Sequence, residues 1–224
     1  MTTTTAQPDR PASQVMSEPG RARAVGCDDL LCPVVVLYAR SDSIYKTLPG
    51  CDVWDAIRDA RTYQGKEPVI AHPPCGPWGR LRAFCKHPEQ KDLARHAVRI
   101  VRENGGVLEH PANSTLWKDQ SLPELGAKDK WGGWTLTAPQ WWWGHRAEKS
   151  SRFYIVGCDA KDLPEIPMRL GEPTHVIQSR KRRDHRPHVS KPEREHTPIE
   201  LAKWLIEVAR LCGHNGGLEP LPRQ

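Results

Sequence analysis

The chain has 224 residues, 38% of them hydrophobic, which is enough for one sizeable apolar core. Its 33 Lys and Arg outnumber its 27 Asp and Glu, and the formal net charge of +6 suits a polyanionic partner. No run of about 18 apolar residues could span a bilayer and no early apolar run resembles a signal peptide, so we predict a cytoplasmic protein without a membrane partner.

The composition changes along the chain. Residues 1–26 are rich in Thr, Pro, Ser, Ala and Arg and almost lack large apolar side chains, so they are predicted to be a disordered leader. Residues 27–213 are predicted to form a single α/β catalytic domain, and residues 214–224 a flexible tail.

The seven cysteines are an odd number in a chain without a secretion signal, which favours reduced thiols over disulfides. No CxxC pair occurs, and we predict no metal site. An alternative is that folding brings Cys85 and His87 together with His72 or Cys75 to bind zinc.

The first half of the chain alternates between strand and helix patterns. The apolar run "PVVVLYA" predicts a buried strand over 33–39, and "PVIAH" predicts another over 68–72. Between them, apolar residues at helical spacing predict a helix over 52–63. The segment 87–106 predicts a further helix that ends at a glycine pair, and "VLEH" a short strand over 107–110.

The second half contains shorter strands and one more helix. Residues 134–137, 140–143 and 152–157 are predicted strands, and a capping box beginning at Thr197 predicts a last helix. We therefore predict an α/β fold with an open, mostly parallel sheet and helices on both faces.

Two sequence features suggest nucleic-acid binding without requiring it. Four tryptophans between 134 and 143 fit core packing or a platform on which bases stack. Residues 178–196 hold seven Lys and Arg against three Asp and Glu, as either a solvated basic loop or a phosphate-binding segment. On the second interpretation, the nucleic-acid contacts are Arg180, Lys181, Arg182 and Arg183.

The stretch "IAHPPCGPWGRL" carries the strongest chemical signal. Prolines stiffen the backbone around Cys75, and nearby arginines favour its thiolate. Cys75 follows one predicted strand and Glu109 ends the next. Ligands of open α/β sheets bind at the carboxyl ends of the strands, so a cysteine nucleophile and an acid are predicted to meet there.

Four motifs in order, "PPC", "VLEHP", "KSSRFYIVG" and "TPIELAKWL", resemble the cytosine carbon-5 DNA methyltransferases, a family common in phages. The resemblance spans residues 68–212. It implies a Rossmann-like methyltransferase fold in which Cys75 attacks carbon 6 of a flipped-out cytosine. Glu109 would bind ring nitrogen 3 and the exocyclic amine, and Arg152 would help to bind the base. The predicted substrate-binding residues are Pro74, Trp78, Arg80, His110 and Lys149.

The chain departs from the family pattern at several positions. Ser150 stands where the family has its first arginine, and His110 where it has an asparagine. No glycine pair follows the first strand, where the family binds S-adenosylmethionine. Two donors therefore stay open, S-adenosylmethionine for methyl transfer and methylenetetrahydrofolate for another one-carbon transfer. The acceptor is predicted to be DNA, duplex or single-stranded, or a pyrimidine nucleotide. A binding module without catalysis is the alternative to an enzyme.

Overall fold

The structure, a computed structural model, describes Met1, residues 33–177 and residues 184–214. The chain divides into Met1–Leu31 and Cys32–Gln224, and the strands and helices belong to the second unit. Apart from Met1 and His214, the predicted leader and tail lie outside the described residues. The predicted nucleic-acid contacts Arg180, Lys181, Arg182 and Arg183 also lie outside them.

Buried aliphatic runs form the centre of the sheet. Strand β1 (Val34–Leu37) and strand β3 (Val69–Ala71) are buried along their whole length. They pair in parallel, with Val35 opposite Val69. Both predicted strands are confirmed with slightly narrower bounds, because a continuous run of β-branched residues is stable where both faces of a sheet are covered.

The helix predicted over 52–63 is wrong. Residues Cys51–Trp54 form strand β2 at the edge of the sheet, followed by turns and a short 3-10 helix at Ala60–Thr62. The Asp55 carboxylate accepts hydrogen bonds from the backbone of Ile57 and Arg58. An aspartate that binds nearby backbone N–H groups stabilises a turn in competition with a helix.

Helix α1 (Lys91–Asn104) and strand β4 (Gly106–Pro111) confirm the next two predictions. Gly105 ends the helix with a φ of +80°. At Gly106 an added Cβ would lie 2.1 Å from the Val69 carbonyl oxygen. A glycine is therefore required where β4 begins beside β3.

Strand β5 (Trp134–Pro139) and strand β6 (Ser150–Val156) are also present, but the strand predicted over 140–143 is wrong. Gln140–Trp143 is a 3-10 helix that closes on Gly144, whose φ is +94°. Trp143 packs in the core, 5.2 Å from the ring of Trp204. For Trp143, the core-packing interpretation of the tryptophan cluster is confirmed.

Three further helices complete the described fold: α2 (Leu116–Asp119), α3 (Lys191–Glu195) and α4 (Ile199–His214). The helix predicted from Thr197 is thus confirmed as α4. No helix in the described ranges has both the length and the apolar character needed to cross a membrane.

The six strands form one mixed sheet in the order β2-β1-β3-β4-β6-β5. Strands β1 to β4 pair in parallel, and β6 runs antiparallel to both β4 and β5. One face packs on α4 and the other on α1, so that two apolar clusters lie on opposite sides. The predicted α/β fold with helices on both faces is confirmed at this level.

Candidate active site

The loop that carries Cys75 is anchored at both ends. His72 donates its backbone N–H to the Leu37 carbonyl at 3.0 Å, which holds the start of the loop beside the end of β1. After Cys75, a 3-10 turn over Gly76–Trp78 lets the backbone N–H groups of Trp78 and Gly79 donate to the Cys75 carbonyl. Cys75 is an exposed residue, so a fixed backbone presents it at the surface.

Glu109 lies in the middle of β4 and is surrounded by donors. Its Oε2 lies 3.3 Å from Nδ1 of His72, and its Oε1 accepts hydrogen bonds from Gln140 Nε2 at 3.1 Å and from the Ser151 hydroxyl. A carboxylate offers about four acceptor positions. Three are occupied, and the fourth, on Oε2, can receive one more donor.

A buried tyrosine fixes the orientation of His72. The Tyr45 hydroxyl lies 3.0 Å from Nε2 of His72, and Tyr45 is only 1% exposed. Because an ionised Glu109 can only accept, Nδ1 of His72 carries a proton toward Glu109, and Nε2 pairs with the Tyr45 hydroxyl. The chain Tyr45–His72–Glu109 therefore holds the carboxylate in one rotamer.

These contacts keep Glu109 ionised. Burial by itself would raise the pKa of Glu109, but the hydrogen bond from His72, the positive charge of Lys149 and the hydrogen bond from Ser151 outweigh burial and lower the pKa to about 2. At neutral pH the site therefore presents a carboxylate that accepts hydrogen bonds and donates none.

The electrostatic environment joins Cys75 to Glu109. Desolvation raises the pKa of the Cys75 thiol, the charge of Glu109 raises it further, and Lys149 lowers it. Desolvation lowers the pKa of Lys149, against the opposing charges of Glu109, Cys75 and Glu195. Cys75, Glu109 and Lys149 therefore influence one another electrostatically at the carboxyl edge of the sheet. The thiol stays protonated until a substrate or a base changes that balance.

Arg152 lies on the other face of the sheet. It pairs with His110 across β4 and β6, one position from the pair formed by Glu109 and Phe153, and neighbouring positions on a strand point to opposite faces. Its guanidinium lies 5.3 Å from the ring of Trp117 and 3.6 Å from Glu124. Arg152 is therefore separated from Glu109 by the sheet, and Lys149 is the cation whose charge acts on Glu109.

Two of the predicted substrate-binding residues are structural instead. Trp78 is 2% exposed and His110 is 1% exposed, and both lie on the α1 side of the sheet. Burial lowers the pKa of His110 to about 4, against the opposing effect of the Glu109 charge. Trp78 and His110 are therefore packing residues on the α1 side of the Cys75 loop and do not contact substrate.

The remaining predicted residues border the exposed thiol. Pro74 is half-buried directly before Cys75, and Lys149 donates from Nζ to the His196 carbonyl at 2.8 Å. Arg80 is exposed and lines a cavity close to the loop.

Sequence reasoning missed the residues that hold Glu109 in place. Gln140, completely buried, and Ser151, 1% exposed, both contact its carboxylate. Gln140 directly precedes a run of three tryptophans, and Ser151 is the second residue of a strand rich in apolar residues. A polar residue inside such a run was the available signal, since buried polar groups need partners.

The carboxyl ends of β1 and β2 differ from the S-adenosylmethionine site of the family that the sequence resembles. Tyr38, with a φ of +62°, follows β1 where the family has glycines. Asp55, the carboxylate after β2, is 5% exposed and already accepts from Lys46 at 2.6 Å and from the backbone of Ile57 and Arg58. Three of the roughly four acceptor positions of Asp55 are therefore occupied by its own chain, which leaves one for a ribose hydroxyl.

A metal centre is not assembled among the residues that the structure describes, where no three His, Cys, Asp or Glu side chains are grouped to hold an ion. Comparison with known proteins adds no further constraint: no family model, curated protein or solved structure matches the chain.

Proposed function

We propose that this protein modifies carbon 5 of cytosine in DNA through a covalent adduct between Cys75 and carbon 6. The observation that carries the proposal is an exposed cysteine on an anchored loop at the carboxyl edge of an α/β sheet, where the charges of Glu109 and Lys149 act on its thiol. The strand order also supports a Rossmann-like methyltransferase fold. In that fold an antiparallel strand is inserted near one edge of a parallel sheet, as β6 is inserted between β4 and β5 here.

In the first step, Sγ of Cys75 forms a bond to carbon 6 and the carbon 5–carbon 6 π electrons move toward the ring carbonyl and nitrogen 3. The thiol gives its proton to solvent and ring nitrogen 3 takes one from solvent, because the ionised Glu109 has no proton to donate. The loss of aromatic character makes carbon 5 nucleophilic toward an electrophilic one-carbon group. When carbon 5 later loses its proton, the double bond returns and sulfur leaves. The adduct serves a methyl donor and a folate equally, so the proposal concerns the adduct and does not assign the donor.

Glu109 gives the site its preference for cytosine. Its remaining acceptor position can receive the exocyclic amine of cytosine, whereas uracil would place a carbonyl oxygen against the carboxylate. A site that hydrogen-bonds a substrate N–H rejects analogues without it, because its buried polar group is left unpaired. Lys149 stabilises the thiolate as it forms, because its charge favours the ionised form of Cys75.

The test is trapping on DNA that contains 5-fluorocytosine, which blocks the loss of the carbon 5 substituent and preserves the adduct once a one-carbon group has been transferred. S-adenosylmethionine and methylenetetrahydrofolate are supplied in separate reactions. We expect a covalent complex with the unaltered protein and none with Cys75→Ser. Cys85→Ser is the matched control, a thiol nearby in sequence that should leave trapping unchanged.

Mass spectrometry of nucleosides from ordinary DNA, treated with each donor in turn, then identifies the added group. Trapping that persists in Cys75→Ser, or DNA that is unmodified with either donor, would contradict the proposal.

A further inference from the structure

Two free cysteines meet where the last strand of the sheet approaches the last helix. Sγ of Cys212, near the end of α4, lies 3.2 Å from Sγ of Cys158, two residues after the end of β6. Both residues are buried, Cys212 at 1% exposure and Cys158 at 7%. Cys158 directly precedes the exposed Asp159, so it is the member of the pair nearer to solvent.

Backbone packing on both sides builds this contact. Gly157, with a φ of +102°, lies so close to α4 that an added Cβ would be 2.8 Å from the Cys212 carbonyl oxygen. The Cys158 carbonyl accepts a hydrogen bond at 2.8 Å from Nε1 of the buried Trp134. The Cys212 thiol lies 3.9 Å from the Gly106 carbonyl oxygen at the start of β4. The main chain around each cysteine is thus fixed, and the sulfurs are held together.

The pair lies at the opposite edge of the sheet from the candidate active site. Gly106, which the Cys212 thiol approaches, begins β4, whereas Cys75 follows the carboxyl end of β3, which runs parallel to β4. The chemistry proposed at Cys75 uses neither of the two buried thiols. A role for Cys158 and Cys212 is therefore independent of the proposed function.

The two thiols are not equivalent. Cys212 donates its S–H to the sulfur of Cys158, and this hydrogen bond lowers the pKa of Cys158 and raises the pKa of Cys212. Burial and the charges of Asp162 and Asp159 act against the lowering at Cys158. Oxidants react with the thiolate form of a cysteine. Cys158, which ionises more readily and lies nearer to solvent, is therefore the first sulfur to react.

We propose that Cys158 and Cys212 form an oxidative modification site, a dithiol that hydrogen peroxide converts to a disulfide joining the end of β6 to α4. The Cys158 thiolate first attacks one peroxide oxygen. An S–O bond forms, the O–O bond breaks, and the hydroxide that leaves takes up the proton that Cys158 released. The Cys212 sulfur then attacks the Cys158 sulfur, the S–S bond forms, and the S–O bond breaks. The second hydroxide takes the proton of Cys212, so two thiols are oxidised and the peroxide is reduced to two waters.

This reaction requires only a small movement. The sulfurs of a disulfide lie about 2.05 Å apart, so the two atoms approach each other by about 1 Å from their present separation of 3.2 Å. The bond joins residues 54 positions apart in the chain. A cross-link of this span restricts the unfolded chain and stabilises the folded protein. Oxidising conditions would thus strengthen the attachment of α4 to the sheet.

The experiment treats the reduced full-length protein with hydrogen peroxide, blocks the remaining thiols with iodoacetamide under denaturing conditions and digests the product with trypsin. Residues 153–161 and 211–223 are then two peptides with one cysteine each, so a cross-link between them is unambiguous. We expect the linked peptides by mass spectrometry and their separation by dithiothreitol. Recovery of both peptides with alkylated cysteines, or with Cys158 oxidised to a sulfonic acid and unlinked, would overturn the proposal.

The order of the two steps is tested with Cys212→Ala and Cys158→Ala. Without Cys212, oxidation of Cys158 should stop at the sulfenic acid, which dimedone labels on residues 153–161. Without Cys158, the more deeply buried Cys212 should take up little dimedone. Cys51→Ala is the matched control, because it removes another partly buried free thiol, and it should leave the cross-link unchanged. Equal dimedone labelling of Cys158 and Cys212 in the two variants would contradict the assignment of Cys158 as the attacking thiol.

Thermal unfolding measures the effect of the cross-link on the fold. We expect peroxide to raise the Tm of the unaltered protein by about 4 °C or more relative to Cys158→Ala treated in the same way. The two proteins share their other cysteines, so the difference between them isolates the cross-link. If peroxide shifts both Tm values equally although the linked peptides are present, the disulfide does not stabilise the attachment of α4, and that part of the proposal is wrong.

Discussion

The substitution Glu109→Gln separates the electrostatic account of the site from a purely structural one. The pKa of Glu109 is about 2 in the folded protein, against an ordinary value of 4.5. A lowered carboxyl pKa stabilises the fold above the unfolded pKa, and this stabilisation disappears as the pH falls through the folded pKa. Ionised Glu109 therefore contributes about 3 kcal/mol at pH 7, less than half of that at about pH 3, and almost nothing near pH 2.

Glutamine has nearly the same shape but cannot ionise, and its amide nitrogen would face donors on His72, Gln140 or Ser151. We expect Glu109→Gln to lower the free energy of unfolding by about 3 kcal/mol at pH 7. The difference from the unaltered protein should narrow between about pH 4.5 and pH 2, as the carboxylate takes up a proton. Urea unfolding at a series of pH values measures both quantities.

Glu103→Gln is the control, because Glu103 is a surface carboxylate in an exposed ion pair on α1. Its stability difference should be small at every pH. The free energy of unfolding of Glu109→Gln could instead differ from that of the unaltered protein by a constant amount from pH 7 to pH 3. In that case the hydrogen bonds and Lys149 do not hold Glu109 ionised, and the electrostatic reasoning about the site is refuted.

Two further substitutions test the thiol and the packing. Lys149→Met should shift the pH dependence of Cys75 alkylation by iodoacetamide to higher pH, because the charge that lowers the pKa of the thiol is removed. Lys161→Met, a surface substitution, should leave the pH dependence of alkylation unchanged. Equal pH profiles in the two variants would show that Lys149 does not act on Cys75. Gly106→Ala should destabilise the protein by about 1–3 kcal/mol or more relative to Gly126→Ala in thermal unfolding. Both glycines have positive φ, but only at Gly106 does the added Cβ meet a main-chain oxygen, 2.1 Å away on β3. Similar losses at the two positions would mean that backbone strain, and not close packing, explains the requirement for glycine.

The sequence predicted those parts of the fold in which local pattern and burial agree. The runs that became β1 and β3 are buried on both faces, and α1 has one apolar face and a glycine stop. Strand β2 was missed because it is a half-buried edge strand in which no clear alternation survives. The apolar residues over 52–63 have helical spacing, but the Asp55 side chain binds nearby backbone N–H groups and stabilises turns instead.

The candidate site could be predicted only in part for a similar reason. That Cys75 and Glu109 meet follows from a rule about strand ends, which needs no detailed geometry. The contacts that Gln140 and Ser151 make to Glu109 join residues 31 and 42 positions apart in the chain. Such contacts depend on how β6 is aligned with β4, and a sequence pattern does not specify that register.

The alternation of side chains along β4 explains how neighbouring residues take different roles. Glu109 points to the α4 side, where His72, Gln140 and Ser151 surround it, and His110 points to the α1 side beneath the Cys75 loop. His110, the polar residue that follows Glu109, therefore packs beneath the Cys75 loop and does not provide a second substrate contact. By the same alternation Arg152 points away from Glu109, and Lys149, just before β6 begins, supplies the positive charge that acts on Glu109 and Cys75.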